Sequence, residues 1–147
     1  MVFAAIHLNA LAIAAAVLSS IAIGFVWYGP LFGNAWMAEM GVPPDFGPEP
    51  SVLKRSMLLM LAGATLTTLA LALILELGRA SGWTAGTSLA PAFYAGLVAL
   101  FVWIGFCVPM LLGSVAWEGR SWRWFGINAG YHAAALLASA MMLTYWR

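Results

Sequence analysis

Charge is the scarcest property of this chain. Lys and Arg number 6 and Asp and Glu 5, together 7% of 147 residues, where a soluble domain carries about 25%. Such a chain cannot cover itself with a water-facing surface. The net charge of +1 comes without any Lys and Arg cluster, which excludes a phosphate-binding face, so nucleic acid is not an expected partner. A single cysteine, Cys107, can close no intrachain disulfide. It lies far from both ends, and no lipidation motif surrounds it. Met1 to Leu18 holds no Lys or Arg, so the basic start of a secretory signal is missing and the first apolar run is expected to stay as a span. Catalytic constellations are missing too. Ser19 and Ser20 have no acid–base partner nearby in the sequence, and no loop carries paired carboxylates. The chain does not read as an enzyme.

What is present in quantity is apolar length, with 64% hydrophobic residues. A hydrocarbon core about 30 Å thick asks for about 20 mostly apolar residues per helix. Four runs qualify: Phe3–Tyr28, Val52–Leu77, Ala90–Trp117 and Trp124–Trp146. Helices are the open-ended elements that satisfy their own backbone in lipid. The expectation is an all-α, four-span transmembrane helical bundle forming one membrane domain over residues 1–147. Ser51, Ser88 followed by Pro91, and Ser121 are placed to open the second, third and fourth helices. Aromatics gather where the spans should end: Trp27, Tyr28 and Trp36, then Trp83 and Phe93, then Trp117, Trp122 and Trp124, and finally Tyr145 and Trp146. That is the pattern of an interfacial belt. Lys54, Arg55, Arg120 and Arg123 fall on one side of such a bundle and Arg79 and Arg147 on the other. The bias puts the first and third loops in the cytoplasm and both termini outside.

The stretch FVWYGPLFGNAW closes the first run. Trp27 and Tyr28 mark the interface, and Gly29-Pro30 is expected to stop the helix, because proline lacks an amide donor and clashes with the preceding turn. Phe32, Trp36 and Met40 then recur every four residues, with Asn34 and Glu39 on other faces. This reads either as a short interfacial helix lying at the membrane surface or as a packed loop with an aromatic plug.

Three blocks carry a resemblance. The first is Asn9, Gly24 and then Trp27-Tyr28-Gly29-Pro30-Leu31-Phe32-Gly33 with Ala35-Trp36; the second is Trp103-Ile104-Gly105-Phe106. The third is Glu118 with Arg120-Ser121, leading into Ile127-Asn128-Ala129-Gly130-Tyr131-His132. In their order and spacing the chain resembles the small bacterial membrane proteins catalogued as domain of unknown function 1761. The resemblance implies four spans in a bacterial inner membrane and no biochemical activity.

Polar residues inside the runs are the candidates for a site. Asn128 and His132, four apart, share a face of the fourth helix about a third of the way into the membrane. At that depth such groups face the bundle interior or a wet cavity. They read either as a structural hydrogen bond between helices or as part of a polar pathway, and Asn9 is a further polar residue of the first span. His7 and His132 do not suit one bis-histidine haem, because they differ in depth by about 15 Å. A single axial histidine to a haem or pigment is weighed at either position. Met57, Met60, Met141, Met142 and Cys107 are soft copper-type ligands but read as packing. No metal and no cofactor is expected. Glu76 and Arg79 are spaced to pair at i, i+3.

Two ladders of small residues run at four-residue spacing: Ala12, Ala16, Ser20 and Gly24 on the first helix, and Gly126, Gly130, Ala134 and Ala138 on the fourth. Ladders of this kind let helix backbones approach closely. A short echo relates Phe25-Val26-Trp27 to Phe101-Val102-Trp103, each with a glycine two positions further on. These features suggest an assembly or accessory subunit that docks other helices, as a homo-oligomer or within a larger membrane complex surrounded by lipid. A small oligomeric transporter or channel around Asn128 and His132 and a pigment-binding module are the alternatives.

Overall fold

A computed structural model describes residues 7–43, 47–82 and 90–146. Phe3, Trp83, Ser88 and Arg147, to which the sequence reading gave roles, lie outside the described residues. The described residues are all-helical in their regular structure: α1 (Ala10–Val26), α2 (Gly33–Met40), α3 (Pro50–Ala80), α4 (Pro91–Val102), α5 (Val108–Glu118) and α6 (Trp122–Tyr145). Two five-residue π turns, Trp27–Leu31 and Trp103–Cys107, extend α1 and join α4 to α5.

The π turns correct one expectation. Gly29-Pro30 does not stop the first helix, which runs on through Leu31 with Pro30 inside it. In an α-helix the Pro30 nitrogen would face the carbonyl of Val26 without a hydrogen to give. Widening the register to i→i+5 avoids that slot, and Phe32 N donates to Trp27 O at 2.8 Å. The second π turn ends two residues before Pro109, which lies in the first turn of α5, and shows the same i→i+5 register, with Val108 N donating to Trp103 O. The expected short helix does follow as α2, ended by Gly41 at φ 65°, a left-handed conformation that favours glycine.

Helix starts differ in detail from expectation. Asn9, taken as a polar group within the first span, is the N-cap of α1, accepting from Leu11 N at 2.9 Å and Ala12 N at 3.2 Å. Ser51 does not cap α3. The helix opens one residue earlier with Pro50, whose missing amide suits the first turn. Ser121 caps α6 as expected, accepting from Trp124 N at 3.0 Å.

Among the described residues, three helical stretches are long and apolar enough to cross a membrane: Ala10–Leu31, Pro50–Ala80 and Pro91–Glu118. The fourth expected span, α6, has 24 residues but is not among them, because Asn128, Tyr131 and His132 dilute its apolar content. Its place in the fold accounts for that composition. α6 packs against α1, α3, α4 and α5 and is the hub of the bundle. The core joins Ala12 and Ala16 of α1, Leu71 and Leu75 of α3, Tyr94, Ala95 and Val98 of α4, and Leu136, Ala140 and Leu143 of α6. Ala12, Ala16 and Leu75 are 0% exposed. The α1 ladder is buried throughout, down to Ser20 and Gly24, so it serves packing within the chain. The α6 ladder is uneven, with Gly126 exposed and Gly130, Ala134 and Ala138 half-buried.

Candidate functional site

The three sequence blocks converge on one turn and a half of α6. Trp27 and Trp103, each the first residue of a π turn, donate their indole N–H groups to the Ile127 carbonyl at 2.9 Å and the Ala129 carbonyl at 2.8 Å. The echo between the two segments therefore falls on two side chains that do the same job on either side of α6. Gly130 makes the first of these contacts possible. A Cβ there would lie 2.7 Å from Trp27 Cζ2, so the indole occupies the space that any other residue would fill.

Tyr28 donates its hydroxyl to Asn128 Oδ1 at 2.9 Å, and Asn128 Nδ2 donates to the Trp124 carbonyl at 2.8 Å. Both ends of the amide are thus occupied within the protein. The Tyr28 ring packs edge-on to Trp36 of α2, with centroids 5.7 Å apart, and against Tyr131 at 5.2 Å. Trp27 packs on Phe32 at 4.8 Å, and Gly33 lets α2 approach, since a Cβ there would stand 2.7 Å from the Tyr28 carbonyl oxygen. The aromatic stretch is neither a bare helix end nor a loop. It is a clasp that holds α2 and the end of α1 on α6, and Ser121 donating to Glu39 closes it from the α2 side.

Tyr131 donates to the Ser20 carbonyl at 3.3 Å, and its ring lies against the Gly24 position, filling the seam between α1 and α6. His132 follows it, ring centroids 5.2 Å apart. The shared face expected for Asn128 and His132 thus divides between two surroundings. Asn128 belongs to the clasp, whereas His132 lines a groove of about 280 Å³ between α3 and α6. Ser20, Thr67, Thr68 and Ser139 line the same groove. Ser20 gives its hydrogen to the Ala16 carbonyl at 3.1 Å, so in its 3.0 Å contact with Ser139 it accepts. Thr67, Thr68 and Ser139 escaped the sequence reading. The available signal was adjacent hydroxyls within an otherwise apolar helix, which periodicity alone does not single out.

His7 is elsewhere. It lines a small cavity at the other end of the bundle with Asn9, Glu76, Arg79 and Trp146, so the fold does not bring the two histidines together. Glu76 and Arg79 pair there at 2.5 Å, as their spacing suggested. Of the soft ligands, Met141, Met142 and Cys107 pack against the core, while Met57 and Met60 stand on an exposed part of α3. No group of three or more His, Cys, Asp or Glu suited to a metal occurs among the described residues.

The family model described as a protein of unknown function, DUF1761, matches residues 11–144. The chain belongs to the DUF1761 family. The match covers the clasp, the groove and every helix of the bundle. No curated protein and no solved structure matches the chain. What the DUF1761 blocks do in this molecule is therefore read from geometry, and two of them, around Trp27 and Trp103, serve to seat the third.

Proposed function

We propose that this protein is a four-span accessory or assembly subunit of a bacterial inner membrane, which docks a transmembrane helix of another subunit along the free half of α3. One observation carries the reading. Every residue from 50 to 63 of α3 is exposed, including Val52, Leu53, Met57, Leu58, Leu59, Met60 and Leu61, whereas the later part of the same helix buries one face, Thr68, Leu71, Ala72 and Leu75, in the bundle. At 1.5 Å per residue the 31 residues of α3 span about 46 Å, longer than a hydrocarbon core of about 30 Å. Lys54 and Arg55 ride on the free half, and neither has an ion pair among the described residues. A partner helix carrying acidic residues near its cytoplasmic end would regain packing along the apolar stripe and answer these two charges.

α6 serves as the fourth span in this reading. Its 24 residues reach about 36 Å, and Asn128 and Tyr131 within it are hydrogen-bonded to protein partners rather than left to lipid. Arg120 and Arg123 then join Lys54 and Arg55 at the cytoplasmic end, with both termini on the other side. A transporter or a pigment carrier would have to work through His132, since Asn128 is already engaged at both ends.

The test is a photoreactive residue at Met57 or Leu61 in cells, followed by mass spectrometry of gently extracted complexes. Cross-links to a different membrane subunit are the expected result. Cross-links to lipid alone would remove the docking role, and cross-links to a second copy would make the protein a homo-oligomer instead.

A further inference from the structure

We propose that the groove between α3 and α6 binds a neutral, lipid-soluble ring bearing carbonyl oxygens, the chemistry of a membrane quinone head. The inference rests on the membrane setting proposed above but not on the docking of any partner.

Among the described residues, three donors on the groove have no hydrogen-bond partner. Thr65, a neighbour on α3, spends its hydroxyl on the Leu61 carbonyl at 2.8 Å in the ordinary way for a helical threonine. Thr67 and Thr68 make no such bond among the described residues. His132 likewise has no hydrogen bond among the described residues, and its recorded contact is the ring of Tyr131. Two hydroxyls and one imidazole N–H line one space of about 280 Å³. In an apolar medium, donors left unmade are costly, so a ligand offering acceptor oxygens is favoured there.

The lining also says what the ligand lacks. It contains no Asp, Glu, Lys or Arg, so a charged headgroup would enter without a counter-charge. The walls are Leu71, Leu136, Ala64 and Ala135, with Met60 beside them and Gly63 leaving the α3 side low. The volume lies just below the ~300 Å³ at which drug-sized sites begin, enough for one substituted ring with its tail left outside. Depth narrows the class further. His132 is ten residues into α6 from Trp122, about 15 Å along the helix, and eight, about 12 Å, from the interfacial Trp124, so it lies inside a core about 30 Å thick. Phospholipid ester carbonyls lie at the interface, well above that level, whereas a neutral ring on an apolar tail reaches it.

The full chain in phosphatidylglycerol–phosphatidylethanolamine nanodiscs, titrated with decylubiquinone and read by tryptophan quenching, tests the proposal. Saturable quenching beyond that of empty nanodiscs is expected, weakened about tenfold in His132→Leu, as for one lost desolvated hydrogen bond. Gly63→Leu keeps the test decisive if the histidine variant fails to fold. A Cβ at Gly63 meets nothing within 4 Å, so the helix tolerates it, yet the side chain enters the groove and should abolish saturable quenching at an unchanged melting temperature. Quenching that never saturates, or that Gly63→Leu leaves intact, would overturn the site. Displacement by dioctanoylglycerol as effective as by the quinone would overturn the ring assignment. Failure of the Met57 cross-link would not alter any of these results.

Discussion

The two halves of α3 both carry runs of long apolar side chains, the free half adding Lys54 and Arg55 near its start, and they have opposite fates. From Thr68 to Leu75 one face of the helix is sunk into the bundle, with Leu71 1% and Leu75 0% exposed, while residues 50–63 touch the outside on every face. Beyond Lys54 and Arg55 hydrophobicity does not separate them, since Met57 to Leu61 is as apolar as Leu69 to Leu75. What separates them is the opposing surface. Beside the packed half, α1 presents Ala12 and Ala16 and α6 presents Ala140, small residues that admit a third helix to the seam. The Tyr94 hydroxyl secures it further by donating to the Leu75 carbonyl at 2.9 Å. One level along, Tyr131 fills the seam over Ser20 and Gly24, and α3 departs. The groove with His132 is the angle left where it does so. Burial in a membrane bundle is thus decided by who is small opposite, more than by who is apolar.

This comparison can be broken most forcefully by truncating both halves. Leu75→Ala should destabilise the bundle by about 2–5 kcal/mol, whereas Leu58→Ala should stay within about 0.5 kcal/mol, both read as unfolding in bicelles. Equal losses would mean that the free half is packed in the folded protein. Next in size, Gly130→Val should displace the Trp27 indole and cost about 1–3 kcal/mol, with a red shift in tryptophan emission. Gly126→Ala, one ladder step away with nothing within 4 Å, should leave emission and stability unchanged.

A smaller effect sharpens the likeness of the two tryptophan seats. Trp27→Phe and Trp103→Phe each remove one indole donor from an α6 carbonyl, and each should lose about 0.6–2 kcal/mol. A loss confined to one of them would show that the sequence echo has no energetic counterpart. Last, Asn9→Ala removes the α1 cap, far from both groove and clasp, at a cost of about 1 kcal/mol. Quinone-dependent quenching should not change in that variant.

Much of this architecture was legible in one dimension. Apolar run length marked four runs, of which three are helices long and apolar enough to cross a membrane among the described residues, since lipid permits few other solutions for a polar backbone. The small-residue ladder of α1, visible as a four-residue spacing, lies buried in the bundle. The cap at Ser121 and the Glu76–Arg79 pair were readable because both are local, within four residues. Pro30 misled, because the rule that proline ends a helix assumes the α register, and a π turn is an escape that needs a neighbour to seat against. Asn128 and His132 share a helical face by spacing, yet one is enclosed by Tyr28 and the other is left open by the departure of α3. Helical periodicity sets which residues lie on a common face. Tertiary structure alone decided what each of them meets, because the partners Tyr28, Thr67 and Thr68 come from helices far away in the chain, and side-chain size at the seam, not sequence distance, fixes how near those helices can come.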